Sequence, residues 1–143
     1  MAQQAMADGS AFQRFKAFIE AQGGDSSFLA DYSLLKQPLF SKVCIAQKQG
    51  FVTRIEADAI GFASQHLGAG RKTKEDQLDF SSGIVLSKKV GDAVTRGDVL
   101  ATFYADDEEK LQEALVQTGK AFEISEKKPV PSKLIKTVLE KIN

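Results

Sequence analysis

The chain predicts an α+β domain with an antiparallel core, preceded by a helical segment. Three observations carry that expectation. Apolar residues recur at helical spacing before position 30, strand-like alternation takes over after position 42, and two glycines six residues apart punctuate a valine-rich stretch, Val90 to Leu100. With 143 residues, 43% of them hydrophobic, the chain can bury one proper core.

The helical segment comes first. Phe12, Phe15, Phe18 and Ile19 share a face, and Gly23 with Gly24 ends it, because glycine takes the left-handed C-terminal conformation without steric cost. Asp25 or Ser26 can cap a short second helix through Phe28 and Leu29, and Pro38 argues against its continuation. Three phenylalanines on one face are more apolar surface than a lone helix leaves in water. Residues 1–37 are therefore expected to belong to a neighbouring domain or to dock on one, and 38–143 to form the α+β domain.

Val43 and Ile45 alternate with more polar neighbours, Gln49-Gly50 offers a turn, and Phe51 to Glu56 alternates again, which predicts two strands joined tightly. A helix is expected from Asp58 as its N-cap, with Ile60, Ala63 and Leu67 on one face and Gly68 as its end. A polar loop follows through Asp76. Strand signals return at Gly83 to Leu86. In the stretch Val90 to Leu100, Gly91 and Gly97 each precede an aspartate and permit positive φ at sharp turns, with Val94 and Leu100 pointing inward. Leu100 to Tyr104 reads as the next strand. Asp106 and Glu109 suggest a capping box for a helix with Leu111, Ala114 and Leu115 inward and Gly119 as its stop. Ala121 to Ile124 reads as a short strand. Ser132 would cap a last helix bearing Leu134, Ile135, Val138, Leu139 and Ile142.

Composition excludes several chemistries. Nineteen basic residues balance nineteen acidic ones, so no basic excess points to nucleic acid. Cys44 and His66 are each the only residue of their type, which removes intrachain disulfides, Cys clusters and His–His metal pairs. No stretch approaches bilayer-spanning length and no signal segment is evident, so the expectation is cytoplasmic, with no membrane partner.

Candidate site residues can still be weighed. Gly68-Ala69-Gly70-Arg71-Lys72 could form an anion nest, but it follows a helix rather than preceding one. The competing expectation is a structural loop in which Arg71 pairs with Asp76 or Asp79. His66 near a helix end would cap carbonyls, and Cys44 on a strand would be a small, half-buried residue. No catalytic, cofactor-binding or metal-binding residue is assigned, and no cofactor is expected.

The elements in this order resemble the final part of the pyrimidine-nucleoside and thymidine phosphorylases. The likeness runs from Asp8-Gly9-Ser10-Ala11 through Ala21-Gln22-Gly23-Gly24-Asp25, Gly50-Phe51-Val52 and Ala57-Asp58-Ala59-Ile60-Gly61. Its most specific stretch is Leu67 to Asp76, followed by Asp79, Gly83-Ile84 and the two Gly-Asp turns. The resemblance implies a hammerhead-like domain related to barrel-sandwich hybrids, and a first segment belonging to a preceding α/β domain. It also implies phosphorolysis of pyrimidine nucleosides to free base and pentose 1-phosphate by a homodimer. The motifs that hold phosphate and base in that family lie upstream of the matched region. The chain is thus expected to be inactive alone and to act as scaffold, with the α and α/β domains of the longer polypeptide as its partner. On this resemblance Met1 would fall inside a longer helix.

Two other readings stand beside it. A biotinyl or lipoyl carrier would need a lysine displayed at a tight hairpin, and Lys88, Lys89 and Lys48 are the nearest candidates. A stand-alone oligomerisation module would use one of the apolar helices.

Overall fold

The computed structural model describes residues 1–131, 133 and 135–138, and divides into two compact units, Met1–Gln37 and Pro38–Asn143. In the first unit, helix α1 (Ala2–Ala7) gives way to α2 (Ser10–Ala21) at Gly9, whose φ of 77° breaks the helical path. Gly23, also at φ 77°, follows the end of α2. Two single 3₁₀ turns come next, Ser27–Leu29 and Tyr32–Leu34. Each is opened by an aspartate: Asp25 accepts from the Ser27 N–H and Asp31 from the Ser33 N–H. Phe12, Phe15 and Phe18 on α2 remain exposed.

The second unit is α+β with two antiparallel three-stranded sheets. In one, β5 (Val99–Ala105) lies between β1 (Phe40–Ile45) and β3 (Gly83–Leu86); in the other, β2 (Gly50–Ile55) lies between β4 (Ala93–Val94) and β6 (Phe122–Ser125). Helices α3 (Ala57–Ser64) and α4 (Glu108–Thr118) pack on the first sheet.

The tight pairing expected of β1 with β2 does not occur, because the two strands belong to different sheets. The two Gly-Asp turns supply the reason. The Gly97 N–H donates to the Ala46 carbonyl and the Ala46 N–H donates to the Asp98 carbonyl, each at 2.8 Å. Six residues earlier the pattern repeats: Gly91 N–H to the Val52 carbonyl at 2.8 Å, and Val52 N–H to the Asp92 carbonyl at 3.0 Å. Backbone groups that a hairpin would use are already claimed. Within each turn an aspartate accepts an N–H three residues back, Asp92 from Lys89 and Asp98 from Thr95. Both glycines have positive φ, 98° and 95°.

Two apolar clusters result. One joins Phe103 and Ala101 of β5 to Leu111 and Ala114 of α4 and to Ala63 and Leu67. The other gathers Ala46, Val52, Val94 and Leu100. Cys44 and Phe122 touch both, so the clusters are continuous through them.

Helix starts differ from expectation in two places. Glu56 rather than Asp58 holds the N-cap position of α3, its carboxylate paired with Arg54 at 3.0 Å, and Asp58 falls in the first turn, where a negative charge suits the helix dipole. Asp107, not Asp106, caps α4, accepting from the Glu109 and Lys110 N–H groups. Asp106 instead accepts the Leu39 N–H and ties the start of β1 to the end of β5. Of the expected last helix, Ser132, Leu134, Leu139 and Ile142 lie outside the described residues, and 135–138 carry no helix.

Candidate functional site

The candidate nest Gly68 to Lys72 and His66 converge on one cleft of about 320 Å³, whose walls include Gln65, His66, Lys72, Asp76 and Lys110. Its geometry begins at the end of α3, where the helix widens into a π turn over Gln65–Ala69. Gly68 breaks that turn at φ 114°, and a Cβ there would stand 3.2 Å from the Cβ of Asp79. The Asp79 N–H reaches the Gly68 carbonyl at 2.9 Å, so the glycine permits the two chain segments to meet.

The loop beyond Gly70 is organised by Asp76. Its Oδ2 accepts the Lys72 N–H at 2.8 Å and the Thr73 N–H at 3.0 Å, while Oδ1 accepts the Thr73 hydroxyl at 2.8 Å. The Thr73 N–H, then its hydroxyl and the Lys72 N–H, hold the Asp76 carboxyl below its ordinary value. Two backbone donors, Lys72 at the end of the candidate nest and Thr73 just beyond it, are therefore aimed at a carboxylate belonging to the loop itself. The carboxylate expected to pair with Arg71 plays this other part, and Asp79 accepts from Ser81 and Ser82. Arg71 is anchored through its backbone carbonyl, which accepts the Gln65 carboxamide.

His66 does not cap the helix end. Its Nε2 lies 2.7 Å from Glu113 Oε2 on α4, and its Nδ1 lies 3.2 Å from Lys72 Nζ. An ammonium only donates, so Nδ1 must accept and Nε2 must carry the proton that goes to Glu113. The imidazole thus clasps α4 to the loop. With Nε2 donating to Glu113 and Nδ1 accepting from Lys72, both ring nitrogens are engaged within the fold.

Glu113 and Lys110 were not singled out by sequence. They flank the inward Leu111 and Ala114 on α4, as solvated helix positions ordinarily do, and their approach to His66 across 47 residues is a tertiary event. The helical period of α4 could have placed them beside its buried face, but not against this partner.

The remaining candidates lie elsewhere. Cys44 is half-buried between the clusters, and burial pushes its thiol above the ordinary value, away from the reactive thiolate. Lys88 reaches Asp98 at 3.5 Å and the Ala93 carbonyl at 3.4 Å, which pins it across the double turn. No helix among the described residues is long and apolar enough to cross a membrane.

Comparison with known proteins places this arrangement. The chain is 50% identical over 109 residues to the pyrimidine-nucleoside phosphorylase of Geobacillus stearothermophilus, covering 76% of this chain and 25% of that protein. It is 42% identical over 137 residues to the enzyme of the same name from Bacillus subtilis (strain 168), and 39% identical over 137 residues to that from Staphylococcus haemolyticus. Each of these two matches covers 96% of this chain but 31% of the relative, so the chain spans about a third of their length. The matched part includes the clasp and both Gly-Asp turns, since the family model of the pyrimidine nucleoside phosphorylase C-terminal domain fits residues 51–125. On that match the chain belongs to the pyrimidine nucleoside phosphorylase family, through its C-terminal domain.

Proposed function

We propose that this chain is the C-terminal part of a cytoplasmic, homodimeric pyrimidine-nucleoside phosphorylase, and that its role is scaffolding. The whole enzyme would convert a pyrimidine nucleoside and phosphate to free base and pentose 1-phosphate. That reaction needs a held phosphate dianion, a tolerated cationic sugar and donors for the departing base. One observation carries the scaffold reading. The cleft that gathers the loop's lysine and the chain's one histidine has those groups turned on one another and on Glu113, while Asp76 takes the Lys72 and Thr73 N–H groups. Residues 38–143 would form the C-terminal domain, a hammerhead-like relative of barrel-sandwich hybrids, a reading supported by the repeated Gly-Asp turns. Residues 1–37 would belong to the preceding α/β domain.

The carrier reading is not favoured, since Lys88 is drawn onto Asp98 rather than displayed. The test is base release from uridine and thymidine with phosphate. This chain alone is expected to release none. A chimera in which it replaces the matching 137 residues of the Bacillus subtilis relative is expected to be active. Release by the chain alone would overturn the scaffold reading, and an inactive chimera would count against membership in a working phosphorylase.

A further inference from the structure

Among the described residues of Pro38–Asn143, the sheet β1-β5-β3 has one covered face and one bare one. Register places Lys42 beside Phe103 and Ile84, and Cys44 beside Ala101 and Leu86, on the side where α4 packs. Lys42 confirms the side, because its Nζ meets Gln112 and Glu108 of α4 at 3.0 and 3.3 Å. The alternate residues form the opposite face. There Val43 lies beside Thr102 and Thr102 beside Val85, with Ser41, Tyr104 and Gly83 in the next row. Ile45 and Val99 extend it.

Not one of these outward positions is charged, in a chain that is 27% charged. Val43 is 50% exposed and Val85 57%. An antiparallel sheet with one face in water normally alternates apolar-in and polar-out. Here all but Ser41 and Gly83 of the outward set are β-branched or aromatic, a composition close to that of a sheet face that is itself covered.

We infer that this bare face is a docking surface for the part of the phosphorylase polypeptide that the relatives carry beyond the matched region, and this inference rests on the reading given under Proposed function. The occupant follows from length and chemistry. The Bacillus subtilis relative matches over 31% of its length, which leaves more than two thirds of a polypeptide to pack against this domain. An uncharged three-stranded face offers no electrostatic match to nucleic acid or to a charged peptide, and suits the apolar layer of an adjoining domain.

The test compares one double substitution in two settings. Val43→Lys with Val85→Lys places two charges on the bare face, and Val116→Lys, at an exposed position of α4, is the control. In the isolated chain the double substitution is expected to leave the melting temperature unchanged. In the chimera it is expected to lower it by about 5 °C or more, because the two ammonium groups would be buried at the junction. The control is expected to be silent in both. A double variant that is silent in a folded, active chimera overturns the docking surface while leaving the phosphorylase reading intact. An unmodified chimera that folds but is inactive sinks that reading first, with the melting comparison still deciding the surface. Should the isolated chain sediment as a dimer that the double substitution dissociates, the occupant is a second copy and the inference is wrong.

Discussion

At the scale of single residues, polar side chains here mostly serve the backbone. Asp98 is an example: the Thr95 N–H and then its hydroxyl hold its carboxyl below the usual 3.8, with Lys88 adding to the effect. A carboxyl depressed on folding binds its proton more readily in the unfolded chain. Its contribution is therefore present above 3.8 and is lost as pH falls through the lower folded value. Asp98→Asn is expected to be less stable than the parent at neutral pH, with the gap narrowing below 3.8 in a series of denaturant melts. A gap that stayed constant to the acid limit would remove the carboxylate from the account. His66 makes a sharper claim. Nitrogen-15 NMR above neutral pH is expected to find the proton on Nε2, since Lys72 can only donate to Nδ1. Finding the proton on Nδ1 would dissolve the clasp to Lys72.

At the scale of elements, close approach decides what is tolerated. Gly50 opens β2 at φ 154°, and a Cβ built there would collide with the Ser125 carbonyl oxygen of β6. Gly50→Ala is expected to destabilise by about 2–4 kcal/mol, because backbone rather than a flexible side chain must give way. Thermal melts would check it, and a loss under about 0.5 kcal/mol would mean that β6 yields easily. Leu111 is fully buried where α4 meets β5. Leu111→Ala is expected to cost about 2–5 kcal/mol, the transfer term plus the cavity left behind. Most of these elements were legible in sequence: both strands after Lys42, both helices, the double turn and the strand at Phe122 all follow from period and punctuation. The cap of α4 was shifted by one residue because Asp106 and Asp107 are chemically equal as caps. The long-range bond from Leu39 to Asp106 selects between them.

At the scale of the molecule, both apolar clusters lie wholly within 38–143, and the helical elements of 1–37 contain no buried residue. A chain beginning at Pro38 is expected to unfold cooperatively with a melting temperature within about 3 °C of the parent. Loss of cooperativity would show that the first unit is needed for the fold of the second. Each unit carries an apolar surface of its own, the exposed phenylalanines of α2 on one and the bare sheet face on the other. A domain carrying such surfaces is built to be covered, which agrees with a chain spanning about a third of its relatives.

What the sequence determined by itself was local: which stretches are helix or strand, where glycine and aspartate turn the chain, and the ordered motifs that mark the family. Those features depend on neighbours within a few residues, so period and punctuation expose them. The tertiary structure alone decided the partners. It divided β1 and β2 between two sheets, because the Gly-Asp turns claim Ala46 and Val52. It brought Glu113 to His66 and pointed the Lys72 and Thr73 N–H groups at Asp76 instead of leaving them for an anion. Pairings across tens of residues depend on which donors remain unsatisfied after every other segment is placed, and no local pattern encodes that competition.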